Sequence, residues 1–306
     1  MLGVIGEILV DLTGKETSDG LSFTRHAGGA PFNVALAAKR LGAKVGFFGS
    51  VGDDMMGHYL EAFAKAQGFD ELALSVLPDR NTTLAWVTLE QGERSFCFTR
   101  KHTADYCLPD SLPEAFLTAD ILHFGTLMFS EVEGRAFATK QMMAAKAHGQ
   151  TISLDINYRD DLYASPEEAV TIYRQYLPYA DLLKCSEEEM AVFGEAYLLS
   201  LSKHARLFIT HGAKGSEMRY QGKRIFVPSY PVKPVDTTGA GDAFYGAILA
   251  SLEGKDFVAF SEKEWRQILR EANVAGALST LAYGATAGLP TRKEIETFLV
   301  KSAKLD

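Results

Sequence analysis

The segment Pro234–Phe244 places two glycines and two aspartates directly before an apolar, helix-forming run. Glycine lets the backbone turn tightly, and the free N–H groups at a helix N-terminus bind anions. An aspartate at such a point caps many helices, but a cap requires no preceding Gly-Ala-Gly. We therefore interpret Asp242 as a general base beside an anion hole formed by the amides of Gly239, Ala240 and Gly241. This combination predicts phosphoryl transfer to an alcohol.

The same segment is one of several motifs that occur together in one protein family. Residues 236–244 resemble the C-terminal signature of the ribokinase-like (PfkB-type) carbohydrate kinases, and Gly28–Ala35 resembles the N-terminal one. Further matches fall at residues 49–54, 92–96, 155–159 and 210–215. The resemblance spans nearly the whole chain and is strongest to bacterial fructokinases, through Gly-Gly-Ala-Pro, Gly-Glu-Arg-Ser-Phe and the Ala104-Asp105 pair. It implies an ATP- and Mg²⁺-dependent kinase that phosphorylates the primary hydroxyl of a ketohexose, converting fructose to fructose 6-phosphate.

Short β-rich runs alternate with runs of helical periodicity along the chain. We predict strands over residues 3–10, 45–50, 121–124, 151–156, 182–185 and 207–210. We predict helices over residues 32–41, 56–67, 131–146 and 166–177, where apolar residues recur near i, i+3 and i+4. The alternation predicts an α/β fold with a doubly wound, mostly parallel sheet flanked by helices, in a single domain spanning residues 1–306. Ligands of such sheets bind beyond the C-terminal ends of the strands.

One segment departs from this alternation. Residues 84–89 and 95–99 alternate apolar and polar side chains around a turn at residues 90–93, which predicts a β-hairpin. Residues 12–24 are expected to add a strand beside it. The resemblance implies that residues 12–24 and 82–105 form a lid that closes over the sugar and packs against the same element of a second subunit. The alternative is a hairpin that packs only on its own core.

Two polar residues are expected near the sugar. Asp11 closes the first predicted strand, and Asn33 lies near the start of a predicted helix. Each also has a structural interpretation, as a turn former or a local hydrogen-bonding group. Gly28 and Gly29 allow a close backbone approach at that helix start. The resemblance implies that Asp11 and Asn33 hydrogen-bond sugar hydroxyls.

Three arginines leave the choice of substrate open. Arg94 and Arg100 lie in the predicted hairpin, and Arg159 follows a strand end beside Asn157. A single arginine is usually a solvated surface residue, but converging guanidinium groups suit a substrate carboxylate. A 2-keto-3-deoxygluconate kinase is therefore an alternative, as is another sugar or nucleoside kinase of the family. Asp105 favours fructose, because a carboxylate near the sugar repels an acidic substrate.

The nucleotide and cation sites follow from the resemblance. The chain has no G-x-x-x-x-G-K-[ST] motif, so its phosphate loop is not of the Walker type. The residues expected near the nucleotide are Lys184, Ser186, Thr210, Gly212, Gly215 and Asn273. Of the ribokinase Asn-x-x-Glu motif only Glu189 carries over, because Ser186 replaces the asparagine. Glu189 is expected to act on Mg²⁺ indirectly, because Mg²⁺ keeps several waters and is held largely by substrate phosphates. The residues expected at a potassium site are Asp236, Thr238, Ser279, Ala282 and Gly284.

Composition excludes several other classes of protein. The 306-residue chain is 47% hydrophobic and has a net charge of −8, which disfavours a nucleic acid partner. Residues 1–12 are apolar but contain Glu7 and Asp11 and are too short to span a membrane. Three cysteines without C-x-x-C spacing suit a reducing compartment, so we expect a cytoplasmic protein. No G-x-G-x-x-G follows the first strand, which disfavours a dehydrogenase. A catalytically silent protein that binds nucleotide and sugar remains as an alternative.

Overall fold

A computed structural model shows the architecture and describes residues 1–18, 20–90 and 93–302. The strands are β1 (Leu2–Ile5), β2 (Leu9–Thr17), β3 (Gly20–Gly28), β4 (Val45–Gly52), β5 (Glu71–Leu77), β6 (Leu84–Glu90), β7 (Glu93–Thr99), β8 (Ile121–Phe124), β9 (Thr151–Asp155), β10 (Leu182–Ser186), β11 (Arg206–Thr210), β12 (Gly215–Tyr220) and β13 (Lys223–Pro228). The helices are α1 (Ala30–Arg40), α2 (Met55–Lys65), α3 (Glu114–Leu117), α4 (Val132–Ala147), α5 (Pro166–Tyr176), α6 (Glu187–Phe193), α7 (Glu195–Leu201), α8 (Ala240–Leu252), α9 (Glu262–Ser279) and α10 (Arg292–Ser302).

The larger sheet contains nine strands in the order β13-β12-β11-β10-β9-β8-β1-β4-β5. The strands from β11 to β5 in this order run parallel, whereas β12 and β13 are antiparallel. Phe47 and Phe48 are successive residues of β4 and belong to two different hydrophobic clusters. Since successive side chains of a strand point to opposite faces, the sheet separates two cores. The predicted doubly wound, mostly parallel sheet is confirmed.

The predicted first strand, residues 3–10, is wrong as a single element. Strand β1 ends at Ile5, and the chain then leaves the larger sheet at Gly6, whose φ is +151°. Strand β2 begins at Leu9 in the smaller sheet. A Cβ on Gly6 would lie 2.8 Å from Pro31 Cγ, so a glycine is needed at this crossing. Asp11 therefore lies inside a strand of the smaller sheet and does not close a strand of the core.

The smaller sheet has four strands in the order β3-β2-β6-β7. The predicted hairpin of β6 and β7 is present, and the predicted strand over residues 12–24 is a second hairpin of β2 and β3. Asp11, Ala85 and Phe98 are cross-strand neighbours in the register. Since facing residues of neighbouring strands share one side of a sheet, these three side chains lie on the same face.

Helix α8 is held against α1 by a very close contact. A Cβ on Gly246 would lie 2.6 Å from Ala37 Cβ and 2.8 Å from the Val34 carbonyl oxygen, so only glycine permits this approach. All the α8 residues from Ala243 onward are buried. Because the two helices are locked together in this way, the N-terminus of α8 is fixed beside the first turns of α1.

Candidate active site

A cavity of about 270 Å³, which we call cavity A, lies between the smaller sheet and the larger one. Its lining residues come from the smaller sheet, from segments that follow β1, β8 and β9 of the larger sheet, from α1 and from the N-terminus of α8. They are Glu7, Leu9, Asp11, Gly29, Ala30, Asn33, Ala85, Phe98, Leu127, Asn157, Arg159, Thr237, Thr238, Gly239 and Asp242. Asp11, Asn33, Asn157, Arg159 and Asp242 were all expected to form a substrate site. The fold thus brings together residues that are as far apart in the sequence as Asp11 and Asp242.

Asp242 lies at the centre of this arrangement. Its carboxylate accepts a hydrogen bond of 2.8 Å from Asn33 Nδ2. Burial raises its pKa above the ordinary value, while the charge of Lys184 and the Asn33 hydrogen bond oppose that rise. A carboxylate with a raised pKa is a better proton acceptor near neutral pH. The other polar atom of Asn33, Oδ1, is buried without a hydrogen-bond partner, so it remains free to accept a hydrogen bond from a ligand.

The N-terminus of α8 presents backbone amides beside Asp242. Gly239 is the N-cap in a left-handed conformation, with φ of +76°, and no side chain caps the helix. The Ala240 amide donates to the Thr237 carbonyl at 3.2 Å. The first amides of a helix have no intrahelical acceptor. The amides of Gly241 and Asp242 in the first turn of α8 are therefore able to bind an anion. Ala240 was predicted to share the anion hole, but its amide already has a backbone partner.

Lys184 supplies a positive charge close to these amides. Its Nζ forms a 2.7 Å ion pair with Asp155 Oδ2, and both side chains are buried. A Cβ placed on Gly241 would lie 2.9 Å from Lys184 Nζ, so the ammonium group is next to the start of α8. Nearby carboxylates outweigh the effect of burial and raise the lysine pKa. The site thus combines a permanent cation with helix amides, which suits a phosphate group.

Asp11 lines cavity A, and its carboxylate lies against the backbone of Gly28. A Cβ on Gly28 would lie only 2.1 Å from Asp11 Oδ2, which explains the first glycine of the Gly28-Gly29 pair. Burial and the nearby Asp242 charge raise the pKa of Asp11 to about 7, and Arg159 opposes this shift. Gly29 is the N-cap of α1, with φ of +108°. Asp11 and Gly29 both line cavity A, although Asp11 comes from a different sheet than expected.

A second cavity of about 620 Å³, which we call cavity B, lies on the other side of the α8 N-terminus. Its lining residues are Glu188, Thr210, Gly212, Ala213, Gly215, Ser229, Tyr230, Pro231, Val232, Pro234, Thr237, Ala240, Gly241, Phe244, Asn273, Gly276, Ala277 and Thr280. Thr237 lines both cavities. Thr210, Gly212, Gly215 and Asn273 were expected at the nucleotide and do line cavity B. The Lys184 and Ser186 side chains are not part of its wall.

Ser186, Glu189 and Asn273 have structural partners. Ser186 and Glu189 form a capping box at the start of α6. Both carboxylate oxygens of Glu189 accept backbone N–H groups, at 2.8 Å from Tyr158 and 2.8 Å from Ser186. Glu189 therefore joins the segment after β9 to the start of α6. Asn273 Nδ2 donates to the carbonyls of Val227 and Pro228 and so joins α9 to β13.

The structure does not place Arg100 and Asp105 in the wall of cavity A. Arg100 Nε donates to Asp105 Oδ2 at 2.8 Å, and both side chains are almost fully buried. Asp105 also accepts from the hydroxyls of Thr83 and Thr103. We correct the expectation that either residue contacts substrate, because each charge is already neutralised by the other. The Arg94 side chain lies outside the part of the chain that the structure describes.

The predicted potassium residues converge on two adjoining loops. Asp236 is buried, and its carboxylate accepts the amides of Thr238 at 2.7 Å and Gly284 at 3.0 Å. The Ser279 hydroxyl donates to the Gly276 carbonyl within α9, and Ala282 lies in the loop that leads to Gly284. Among the described residues, no group of three or more His, Cys, Asp or Glu side chains is arranged to hold a metal ion.

Several residues of cavity A were not expected from the sequence. They are Glu7, Leu9, Ala85, Phe98 and Leu127, together with the hydroxyl residues Thr237 and Thr238. Phe98 lies in the predicted hairpin and faces the cavity. The alternation of β7 identifies two faces without saying which one is inside. A buried glutamate beside a strand end is the one signal that would have identified Glu7.

Two cavities that meet at a helix N-terminus, with a buried carboxylate on one side and a lysine beside the amides, define a phosphotransferase of the ribokinase-like fold. The pfkB family carbohydrate kinase model matches residues 1–292, and the chain belongs to this family. Members of the family transfer a phosphoryl group to a sugar hydroxyl. In the described ranges, every helix is too short or too polar to cross a membrane.

The chain is similar to fructokinases in both sequence and structure. It is 36% identical to a protein described as a probable fructokinase from Arabidopsis thaliana, over 98% of this chain and 91% of the relative. A fructokinase from Xylella fastidiosa with bound ATP superimposes with a TM-score of 0.91, at 28% identity over 99% of this chain and 98% of the other. A double mutant of Vibrio cholerae fructokinase with fructose, ADP and potassium gives 0.88, at 31% identity over 97% of each chain.

Proposed function

We propose that this protein is an ATP-dependent fructokinase that forms fructose 6-phosphate. The observation that carries the proposal is the α8 N-terminus, where Asp242 faces cavity A while Ala240 and Gly241 face cavity B. A sugar in cavity A and a nucleotide in cavity B would meet at this point. The fructokinases of Xylella fastidiosa and Vibrio cholerae, described with ATP, ADP or fructose, support this assignment.

In this mechanism Asp242 accepts the proton of the primary hydroxyl while the hydroxyl oxygen attacks the γ-phosphorus. The bond from that phosphorus to the β,γ-bridging oxygen breaks, and ADP leaves. The Gly241 and Asp242 amides stabilise the negative charge on the phosphoryl oxygens. The Lys184 ammonium group, which is paired with Asp155, adds positive charge next to Gly241. Asn33 orients the base through its 2.8 Å hydrogen bond. Catalysis is therefore mostly positioning and electrostatic stabilisation.

The charge of cavity A favours a neutral sugar. Its wall contains the carboxyl groups of Glu7, Asp11 and Asp242 and a single guanidinium group, that of Arg159. Burial raises the pKa values of Asp11 and Asp242, and the nearby charge of Arg159 opposes both rises. A sugar acid would place its carboxylate among these carboxyl groups, of which Asp242 has to be ionised to act as the base. Arg159 is nevertheless the observation that keeps 2-keto-3-deoxygluconate as the second candidate substrate.

A coupled ADP-release assay tests the substrate. We expect kcat/KM for fructose to exceed that for 2-keto-3-deoxygluconate, ribose and nucleosides by about 10²-fold or more, because rejecting a buried like charge is worth several kcal/mol. A higher kcat/KM for the sugar acid would make Arg159 the substrate ligand and the protein an acid-sugar kinase. ATP and sugar binding without turnover would instead support a silent binding protein.

We further propose that the enzyme uses Mg²⁺ with ATP and is activated by potassium. Asp155 Oδ1 is buried without a partner beside Lys184, which suits a water molecule of a hydrated cation. Bound Mg²⁺ would neutralise charge on the β- and γ-phosphates. The Asp236 carboxylate and nearby backbone carbonyls offer the oxygen ligands that potassium requires. Turnover measured with EDTA, and with sodium in place of potassium, tests the two cations separately.

We propose one kinase domain whose lid is the smaller sheet, and a homodimer formed through that lid. Leu21 and Phe23 on β3 are 54% and 38% exposed. Phe23 packs edge-on against Trp86, with ring centroids 4.9 Å apart. An apolar patch at the tip of a small sheet is a typical contact surface between subunits.

The three cysteines are unpaired, which supports our placement of the enzyme in the cytoplasm.

Substitution of Leu21 by glutamate tests the dimer. We expect the wild-type protein to have the mass of a dimer by light scattering at micromolar concentration, and L21E to have the mass of a monomer. The KM for fructose should rise severalfold in L21E, because an unsupported lid closes less often. Val258→Glu is the control, since Val258 is 73% exposed and lies outside the lid. A monomeric wild type with full activity would disprove the dimer.

A further inference from the structure

Glu7 is a buried carboxyl group in the wall of cavity A for which the mechanism has no role. Its side chain is 1% exposed, and it is one of the residues that line the cavity. Neither Oε1 nor Oε2 forms a hydrogen bond with another of the described residues. Buried polar groups are almost always paired, so two unpaired carboxyl oxygens at a cavity wall indicate that the ligand supplies the partner.

The surrounding backbone makes room for this carboxyl group. A Cβ on Gly125 would lie 2.5 Å from Glu7 Oε2, so any larger residue at this position would displace it. A Cβ on Gly29 would lie 2.6 Å from the Glu7 carbonyl oxygen. The chain leaves β1 at Gly6, and this turn directs Glu7 out of the larger sheet and into its position at the cavity. Three glycines thus allow the glutamate to lie where it does.

We propose that Glu7 is a sugar-binding residue whose carboxyl group exchanges hydrogen bonds with a hydroxyl group of the sugar in cavity A. The inference rests on the proposed function, and it gives Glu7 the role that the sequence had suggested for Asp105. Asp105 cannot take that role, since Arg100 and two threonine hydroxyls already occupy its oxygens. A polyol hydroxyl can donate and accept at once, which satisfies a carboxyl group in either protonation state.

The electrostatic surroundings agree with this role. Burial, together with the charges of Asp105 and Asp242, raises the pKa of Glu7 to about 8, while the backbone N–H of Glu7 itself and the charge of Arg100 oppose the shift. The ordinary pKa is 4.5. Between these two values the folded protein holds a proton that the unfolded chain has lost. The Glu7 carboxyl group therefore makes the free enzyme less stable as the pH rises from about 4.5 to about 8.

The test compares Glu7→Gln and Glu7→Leu with the wild type in sugar binding, kinetics and thermal stability. We expect the KM for fructose to rise roughly tenfold or more in E7L and less in E7Q, because the amide keeps part of the hydrogen bonding. The KM for ATP should stay within about twofold. The Tm of E7Q should exceed that of the wild type, and by more at pH 8 than at pH 5.

A set of 1-deoxy-, 3-deoxy- and 4-deoxyfructose identifies the hydroxyl group involved. The wild type should discriminate strongly against the one analogue that lacks the hydroxyl group bound by Glu7. E7L should lose that discrimination, because it lacks the carboxyl group that binds this hydroxyl group. Glu217→Gln is the control, because Glu217 is equally buried but pairs with Arg219 and Arg224 in the other half of the fold. E217Q should leave the fructose KM within about twofold.

The outcomes separate this inference from the proposed function. A wild type that phosphorylates no fructose would reject the proposed function. An active wild type, with E7L and E7Q that keep the wild-type fructose KM, would reject only the role of Glu7. A lowered Tm for E7Q with unchanged discrimination among the analogues would show that Glu7 is structural.

Discussion

Replacement of Asp242 by asparagine is expected to lower kcat for fructose by about 10²-fold or more, because the substitution removes the general base and leaves the amides in place. Affinity for ATP should stay within about threefold, because cavity B is lined by Ala240 and Gly241 and not by Asp242. Steady-state kinetics and calorimetric titration with ATP measure the two quantities. A variant that kept more than about a tenth of the wild-type kcat would show that Asp242 is not the base.

Asp54→Asn is the matched control for a capping role. Asp54 is a true N-cap, whose carboxylate accepts the amides of Met56 and Gly57 at 2.9 and 2.8 Å. The carboxylate of Asp242 instead accepts from Asn33. Asparagine caps a helix about as well as aspartate, but the Thr82 amide would lose its charged acceptor, Asp54 Oδ2. We therefore expect D54N to lose about 1 kcal/mol of stability and to keep its kcat. If Asp242 were only a helix cap, D242N would behave in the same way.

Replacement of Gly239 by alanine is the second substitution with a large expected effect. A Cβ here would lie 2.7 Å from Ala285 Cβ and 2.9 Å from Ala285 Cα, at a φ of +76°. The backbone must shift to relieve this contact, and the amides of the anion site shift with it. We expect kcat to fall by roughly 10²-fold, comparable to the loss of an oxyanion-hole donor. The secondary structure of G239A should be retained, as judged by circular dichroism.

Gly254→Ala controls for the conformational cost alone. Gly254 follows the other end of α8 with a φ of +69°, and an added Cβ there would meet nothing within 4 Å. Both variants should lose about 1 kcal/mol or more from the positive φ. Only G239A should lose activity. Equal kcat values in G239A and G254A would show that the position of the helix amides is not important for catalysis.

The sequence alone determined the fold class and the chemistry of the centre. The alternation of strands and helices predicts a parallel sheet whose ligand site lies at one edge, and the Gly239-Ala240-Gly241-Asp242 stretch predicts the base and its anion site. These signals are local: a periodicity, or a glycine that frees an amide. The sequence reveals them because each depends on neighbouring residues only. The resemblance to a kinase family then predicted that Asp11 and Asn33 bind the sugar at the same site.

Only the tertiary structure decided which charged groups remain available to a ligand. Arg100 and Asp105 look equally suited to a substrate in the sequence, but they neutralise each other in a buried pair. In the sequence Glu7 is only a charge within an apolar first segment, yet in the fold it is buried at the cavity and bonds to no other described residue. The physical reason is that burial and pairing depend on contacts distant in the chain. A carboxylate paired with a guanidinium group and one without a partner are the same residue type in a sequence, and only their surroundings differ.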